Sequence, residues 1–179
     1  MSTWVRIRSN GGRTVLLIDG GSGAGKTGLA TRLADELGAD LVSLDSVYPG
    51  WQGLARAQQW VPGIIAGEGH PRWDWERDRP VPPDDGGWVD VPADRDLVIE
   101  GCGALTPASS RLATATIWCE LDAATRKRRA LARDGDAFAP WWDTWAEQEH
   151  EHWRAHRPWS LAQLVLPMGG ADQPLQWKA

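Results

Sequence analysis

The sequence predicts an α/β fold in three layers: a five-stranded parallel sheet with helices on both faces and a small helical lid. Two observations carry that prediction. Short apolar runs recur along the chain and alternate with segments of helical periodicity. The runs are apolar at successive positions, as strands covered on both faces must be.

The elements follow in order. Residues 1–13 form a polar lead-in ending in the turn signal Asn10-Gly11-Gly12. A first strand spans about Thr14 to Ile18, and a glycine-rich turn joins it to a helix ending at Leu37. In that helix Leu29, Ala30, Leu33, Ala34 and Leu37 share one face, and Gly38 is its C-cap. Leu41 to Leu44 is a second buried strand, ending at Asp45. A helix from about Gly53 to Ala66 follows, interrupted by Pro62. Residues 67–93 hold Pro71, Pro80, Pro82, Pro83 and Pro92, which exclude long regular elements, yet their indoles require burial. Asp96 to Glu100 is the third strand, and Gly101-Cys102-Gly103 turns sharply after it. Leu105 to Arg111 is a short helix or turn, and Ala115 to Cys119 is the fourth strand. Asp122 caps a helix running to Arg133, Pro140 precedes another reaching about His156, and Leu164 to Leu166 closes the sheet. A single domain is expected over 1–179, with a core at about 14–166, an insert at about 48–93 and a lid at about 122–157.

Composition narrows the function. The chain has 179 residues, 24 acidic against 19 basic, and a net charge of -5, which is no footprint for nucleic acid. Two cysteines without zinc-type spacing and no secretory segment suit a reducing cytoplasm. No apolar run approaches the roughly 18 residues of a membrane helix, so a soluble protein is expected. Thirteen Trp stand against one Phe and one Tyr, so indoles must do nearly all the aromatic packing. Monomer and homodimer are both open.

Gly20-Gly21-Ser22-Gly23-Ala24-Gly25-Lys26-Thr27 is a complete G-x-x-x-x-G-K-T phosphate loop between a strand and a helix. Backbone N–H groups over Gly21, Ser22, Gly23, Ala24 and Gly25 can converge on a β-phosphate, aided by the helix N-terminus. Lys26 would bridge β- and γ-phosphates, and the Thr27 hydroxyl would ligate Mg²⁺. ATP and Mg²⁺ are therefore the expected cofactors. In open parallel sheets ligands sit at the carboxyl ends of strands. Asp45 stands there as a base for an acceptor hydroxyl, with an Asx-turn or helix cap as its alternative. Glu100 stands there as a holder of a Mg²⁺-bound water, and Asp19 as a partner of loop amides. Arg126, Arg129 and Arg133 share one helix face by spacing, which suits a phosphate-clamping lid; a solvated face paired with Asp122, Asp134 and Asp136 is the alternative. His152 and His156 have zinc-compatible spacing but lack a third ligand, and read as part of a surface helix with Trp142, Trp145 and Trp153 turned inward. Cys102 reads as a small buried residue.

These motifs together resemble the uridine kinase-like branch of the P-loop nucleoside and nucleotide kinases. Leu17 to Thr27 is similar to that branch's loop, and Val42-Ser43-Leu44-Asp45-Ser46-Val47-Tyr48 to its strand ending in Asp-Ser-Phe-Tyr. Val98-Ile99-Glu100-Gly101 is similar to its strand ending in Glu-Gly, and Asp122 through Arg133-Asp134 to its lid helix. The resemblance implies a three-layer P-loop NTPase fold, Asp45 as catalytic base and Tyr48 beside the acceptor. The Arg-Gly-Arg stretch after the lid helix is absent, and His70 to Trp75 matches the nucleoside-binding segment only loosely. Arg72 and Asp74 are the expected acceptor ligands, with Trp73 and Trp75 either stacking on a ring or only packing the insert.

The expected activity is Mg²⁺-dependent transfer of the ATP γ-phosphoryl group to a hydroxyl of a small molecule, with nucleosides among the candidates. Lys26, Asp45, Arg129 and Arg133 would be catalytic, and Arg126 would bind nucleotide. Two other readings share the loop: an ATP-hydrolysing regulator or chaperone, and an O-phosphotransferase that modifies an antibiotic.

Overall fold

The computed structural model describes residues 12–169 and the backbone of 176–177. The lead-in of residues 1–11 lies outside them. Strands β1 (Val15–Gly20), β2 (Asp40–Ser43), β3 (Leu97–Glu100), β4 (Ala115–Glu120), β5 (Leu164–Pro167) and β6 (Gln176–Trp177) form one sheet in the order β6-β5-β4-β1-β3-β2. The first five are parallel, as the continuous apolar runs predict. The sixth pairs antiparallel with β5 at the edge, and its two residues carry too little pattern to be read as a strand.

Along β1 the side chains alternate between the two faces. Val15 and Leu17 join one core with Val42, Leu44 and Ile99. Leu16 and Ile18 join the other, against Leu29, Leu33 and Leu37 of helix α1 (Lys26–Leu37). The C-cap at Gly38 forms as expected, its N–H reaching the carbonyls of Ala34 and Asp35. Because β2 is an edge strand, Leu41 is 38% exposed, contrary to its reading as core.

Helix α2 (Leu54–Ala66) runs unbroken through Pro62, which was expected to interrupt it. Proline removes one helical hydrogen bond at a cost of about 3 kcal/mol. The buried face of Leu54, Ala57, Val61, Ile64 and Ile65 outweighs that loss. The insert then forms two minimal antiparallel ladders, His70–Pro71 with Trp88–Val89 and Trp73–Asp74 with Arg79–Pro80, so its prolines do exclude longer strands.

After β3 come the short helix α3 (Pro107–Ser110) and β4, then helices α4 (Ala123–Phe138), α5 (Trp142–His156) and α6 (Pro158–Leu161). Asp122 caps α4 by accepting from the Thr125 N–H at 2.9 Å. The helix continues past the expected end at Arg133, broken locally at Gly135, whose φ of 53° and ψ of -134° suit glycine alone. Among the described residues no helix is long and apolar enough to cross a membrane.

Leu17→Ala should cost about 2–5 kcal/mol of stability by leaving a cavity between sheet and α2. Leu41→Ala should change it by less than about 0.5 kcal/mol. Urea unfolding of the two variants checks this pair, and equal losses would contradict the assigned edge.

Candidate active site

Helix α1 begins at Gly25 without a side-chain cap and without an acidic residue in its first turn. Its first N–H groups are therefore unsatisfied within the helix and face the loop of residues 20–27, which fits a phosphate. Lys26 is buried, and its Nζ lies 3.2 Å from the Gly21 carbonyl and 3.4 Å from Cys102 Sγ. Burial alone would lower the pKa of the Lys26 ammonium, but the carboxylates of Glu100, Asp45 and Glu149 reverse that and leave it raised. Burial also pushes the Cys102 thiol well up. The sulfur therefore faces Lys26 as a neutral group, and the carboxylates carry the electrostatic part.

Glu100, at the end of β3, is 1% exposed and accepts from Ser43 Oγ at 2.6 Å and Thr27 Oγ1 at 3.1 Å. Burial raises its pKa, with Asp45 adding to the rise while Lys26 and the two hydroxyls oppose it. A desolvated carboxylate bridging two hydroxyls is an all-oxygen donor set, which fits a hydrated Mg²⁺. Asp45 sits in a 3-10 turn, Leu44–Ser46, just beyond β2, and lines the same cavity as Lys26 and Glu100.

That cavity measures about 1150 Å³. It runs from the phosphate loop to a wall of Trp51, Trp73, Trp75, Phe138, Trp141 and Trp145. Trp51 anchors the wall, tilted against Trp75 at 4.7 Å and stacked on Phe138 at 5.4 Å and Trp141 at 5.6 Å. Trp73 and Trp75 therefore line the space rather than only pack the insert. Tyr48 lines it too, but its hydroxyl donates to the Cys102 carbonyl at 2.9 Å, and Trp145 packs edge-on against its ring.

The expected arginine face of α4 separates into three environments. Arg133 reaches the cavity, held by both carboxylate oxygens of Asp134 at 2.8 and 2.7 Å. Arg129 lies outside it, exposed, with Nη1 at 3.4 Å from the Met168 carbonyl. Arg126 is buried behind the loop, donating to the carbonyls of Leu121 and Ser22 and to Glu149, so it holds the loop and is not available as a phosphate clamp. The three share one helical face by spacing, but they lie at different heights along the helix, so each meets different surroundings. Asp74 is also displaced from its expected place: it accepts from the backbone N–H groups of Glu76 and Arg77 and pairs with the Arg77 guanidinium at 2.8 Å. This is an Asx-turn within the hairpin, and Asp74 is not among the residues that line the cavity. Arg72 does line the cavity.

Two functional side chains escape sequence reading. Glu149 of α5 is 1% exposed and accepts from the Ser22 N–H at 2.6 Å and from Arg126 at 3.1 Å, with Cys102 Sγ at 3.3 Å. His152, one turn later, is 3% exposed and donates from Nε2 to Asp19 at 3.1 Å, contrary to its placement on a surface helix. Asp19 also accepts from the N–H groups of Gly20, Gly103 and Leu105. The Glu-x-x-His spacing on a Trp-rich helix is the available signal, because i and i+3 share a face. The indoles Trp142 and Trp145 are buried on that helix as expected.

No protein-family model and no curated protein matches the sequence. Solved structures do match the fold. A possible uridine kinase from Bacillus stearothermophilus is 18% identical, with a TM-score of 0.57 over 91% of this chain and 99% of its own. A putative fructose transport system kinase from Silicibacter sp. is 19% identical, with a TM-score of 0.53 over 87% of each chain. A sugar kinase from Janibacter sp. is 18% identical, with a TM-score of 0.53 over 89% of this chain and 87% of its own. The chain thus shares the α/β fold of these three structures.

Arg126→Met should cost about 3–5 kcal/mol, because it strands a buried carboxylate, and Arg126→Met with Glu149→Met should cost less than the sum of the single changes. Thermal melts of the double-mutant cycle measure the coupling. Glu100 gives a pH signature. Its folded pKa lies above the unfolded one, so the native state binds more protons between the two values and stability falls as pH rises through that window. Glu100→Gln should remove this slope and raise the melting temperature at neutral pH without nucleotide. A variant less stable than wild type at pH 7 would contradict it.

Proposed function

We propose that this protein is a Mg²⁺-dependent phosphotransferase that moves the γ-phosphoryl group of ATP to a hydroxyl of a small molecule. The observation that carries the reading is that one cavity contains both a phosphate loop and, beside it, a free carboxylate facing an aromatic-walled space. Its volume of about 1150 Å³ exceeds the roughly 300–1,000 Å³ of a one-ligand pocket, as two substrates side by side require. The fold is shared with proteins described as uridine and sugar kinases, which agrees with this chemistry.

In this reading the N–H groups of Gly23, Gly25, Lys26 and Thr27 hold the β-phosphate, since the Ala24 N–H is bound to the Gly21 carbonyl and the Ser22 N–H to Glu149, and Lys26 spans the β- and γ-phosphates. Mg²⁺ on the Thr27 hydroxyl, and through water on Glu100, would neutralise charge on the same oxygens. Asp45 orients the acceptor hydroxyl and takes its proton as the oxygen bonds to the γ-phosphorus. The bond from γ-phosphorus to the bridging oxygen breaks, and its electron pair leaves with ADP. Arg133, at the cavity mouth, faces the charge that spreads over the transferring group. Arg126 and Glu149 keep the loop in shape, and Arg129 takes no part. Positioning and electrostatics supply the rate, and the setting is the cytoplasm.

Lys26→Ala should lose ATP affinity and turnover together while the fold persists by circular dichroism. Asp45→Asn should bind ATP as wild type does, yet lose at least about 100-fold in kcat. Calorimetric ATP titration alongside ADP release separates the two, and an active Asp45→Asn enzyme would reduce Asp45 to a turn residue.

A further inference from the structure

The acceptor wall says what kind of hydroxyl compound it takes, and this step rests on the phosphotransferase reading. Several of its polar groups are engaged within the protein, while the indole N–H of Trp73 is buried without a partner. The Tyr48 hydroxyl is bound to the Cys102 carbonyl, the Ser46 hydroxyl to the Ser43 carbonyl at 2.8 Å, and the Trp75 indole N–H to the Asp45 carbonyl at 2.6 Å. Arg133 and Asp134 neutralise each other, and Asp74 is withdrawn into its turn. Among the described residues no Asn, Gln or His lines the cavity.

Two charged side chains of the acceptor half remain without an ionic partner among the described residues. Asp45 is the base. Arg72, exposed at the rim, makes one marginal contact of 3.5 Å to the Gly86 carbonyl. The indoles of Trp51, Trp75 and Trp141 and the ring of Phe138 line the same cavity.

A sugar or a ribose presents several hydroxyls, and a nucleobase presents donors and acceptors along its edge. Each would meet few fixed partners on this wall beyond the Trp73 indole N–H, a mismatch that sites built for polar ligands avoid. An aryl or otherwise apolar body meets the opposite situation, since indole faces supply dispersion and offset stacking without hydrogen-bond matching. An anionic group on that body would reach the unpaired guanidinium of Arg72, which is suited to a carboxylate. A cationic ligand would meet repulsion there.

We propose that the acceptor is a hydroxy acid with an aromatic or compact apolar body, its ring against the indole wall, its anion on Arg72 and its hydroxyl at Asp45. The transfer is the one already written. The hydroxyl oxygen bonds to the γ-phosphorus, its proton passes to Asp45, and ADP departs with the electron pair of the broken bond.

The test uses the full chain with Mg²⁺. 3-Phenyllactate, its neutral counterpart 2-phenylethanol, uridine and fructose are titrated calorimetrically in the presence of a non-hydrolysable ATP analogue, and phosphorylated products are then sought with ATP by ³¹P NMR. The expected result is that 3-phenyllactate binds most tightly and is phosphorylated. Arg72→Gln should weaken it by about 10-fold or more while leaving 2-phenylethanol within about 3-fold of wild type. Trp141→Ala, at an exposed position compatible with folding, should weaken both aryl ligands. Tighter binding and faster phosphorylation of uridine or fructose would overturn this proposal and leave the phosphotransferase reading standing. So would failure of 3-phenyllactate to bind at millimolar concentration, or equal weakening of both aryl ligands by Arg72→Gln. ADP formation with no acceptor phosphorylated would overturn both.

Discussion

The phosphate loop depends on a buried charge pair that lies far from it in sequence. Glu149 holds the Ser22 N–H with one carboxylate oxygen and the Arg126 guanidinium with the other, and Arg126 in turn grips the Ser22 carbonyl. Both side chains are almost wholly buried. Such a pair contributes little net stability against an apolar replacement, but losing one member is severe. Its value is positional. Every charge has a specific partner, so the loop has one conformation in which all of them are met. The approach is close enough that a side-chain carbon at Gly23, where φ is 80°, would collide with the Arg126 carbonyl. The glycines therefore serve two surfaces, one open to a phosphate and one closed upon an arginine.

The same helix that supplies Arg126 also supplies Arg133, seven residues or about 10 Å further along its axis. One end is locked under the loop, and the other stands exposed at the cavity mouth, followed by the non-helical Gly135. The helix thus has one end fixed beneath the loop and the other in contact with the cavity. Helix α5 provides the complementary fixture, because Glu149 meets the loop and His152 meets Asp19 beneath it one turn later. The carboxylate of Asp19 can only accept, so His152 carries its proton on Nε2.

Local patterns made the frame legible. Strands on either side of β1 announce themselves as continuous apolar runs, and the G-x-x-x-x-G-K-T string marks the site because its chemistry lies in consecutive residues. Asp45 and Glu100 were legible for a topological reason, as polar residues where buried parallel strands end. What escaped depends on distance. Nothing near Glu149 in sequence indicates that 127 residues separate it from its partner Ser22, and a Glu on a helix rich in charge looks like surface. Arg126, Arg129 and Arg133 share a helical face by arithmetic, but what meets each part of that face is tertiary. Asp74 was misplaced because an Asx-turn and a ligand use the same carboxylate, and the choice was made by Arg77 and two backbone amides. Pro62 was overread, since a local penalty of a few kcal/mol yields to a buried face of five residues.

The abundance of tryptophan acquires a physical explanation from the cavity. An indole carries a large apolar face and one donor, and here the donor of Trp75 is used on the Asp45 carbonyl, immediately behind the carboxylate proposed as base. That bond ties the aromatic wall to the turn bearing Asp45. Trp51, in contact with Trp75, Phe138, Trp141 and Trp145, extends this continuity from the insert to the helices beyond Gly135. Phenylalanine could fill the same volume but could not make the Trp75 bond. The phosphate-loop side of the cavity is thus fixed by buried charge and the opposite side by stacked rings, and Asp45 lines the cavity that joins the two constructions.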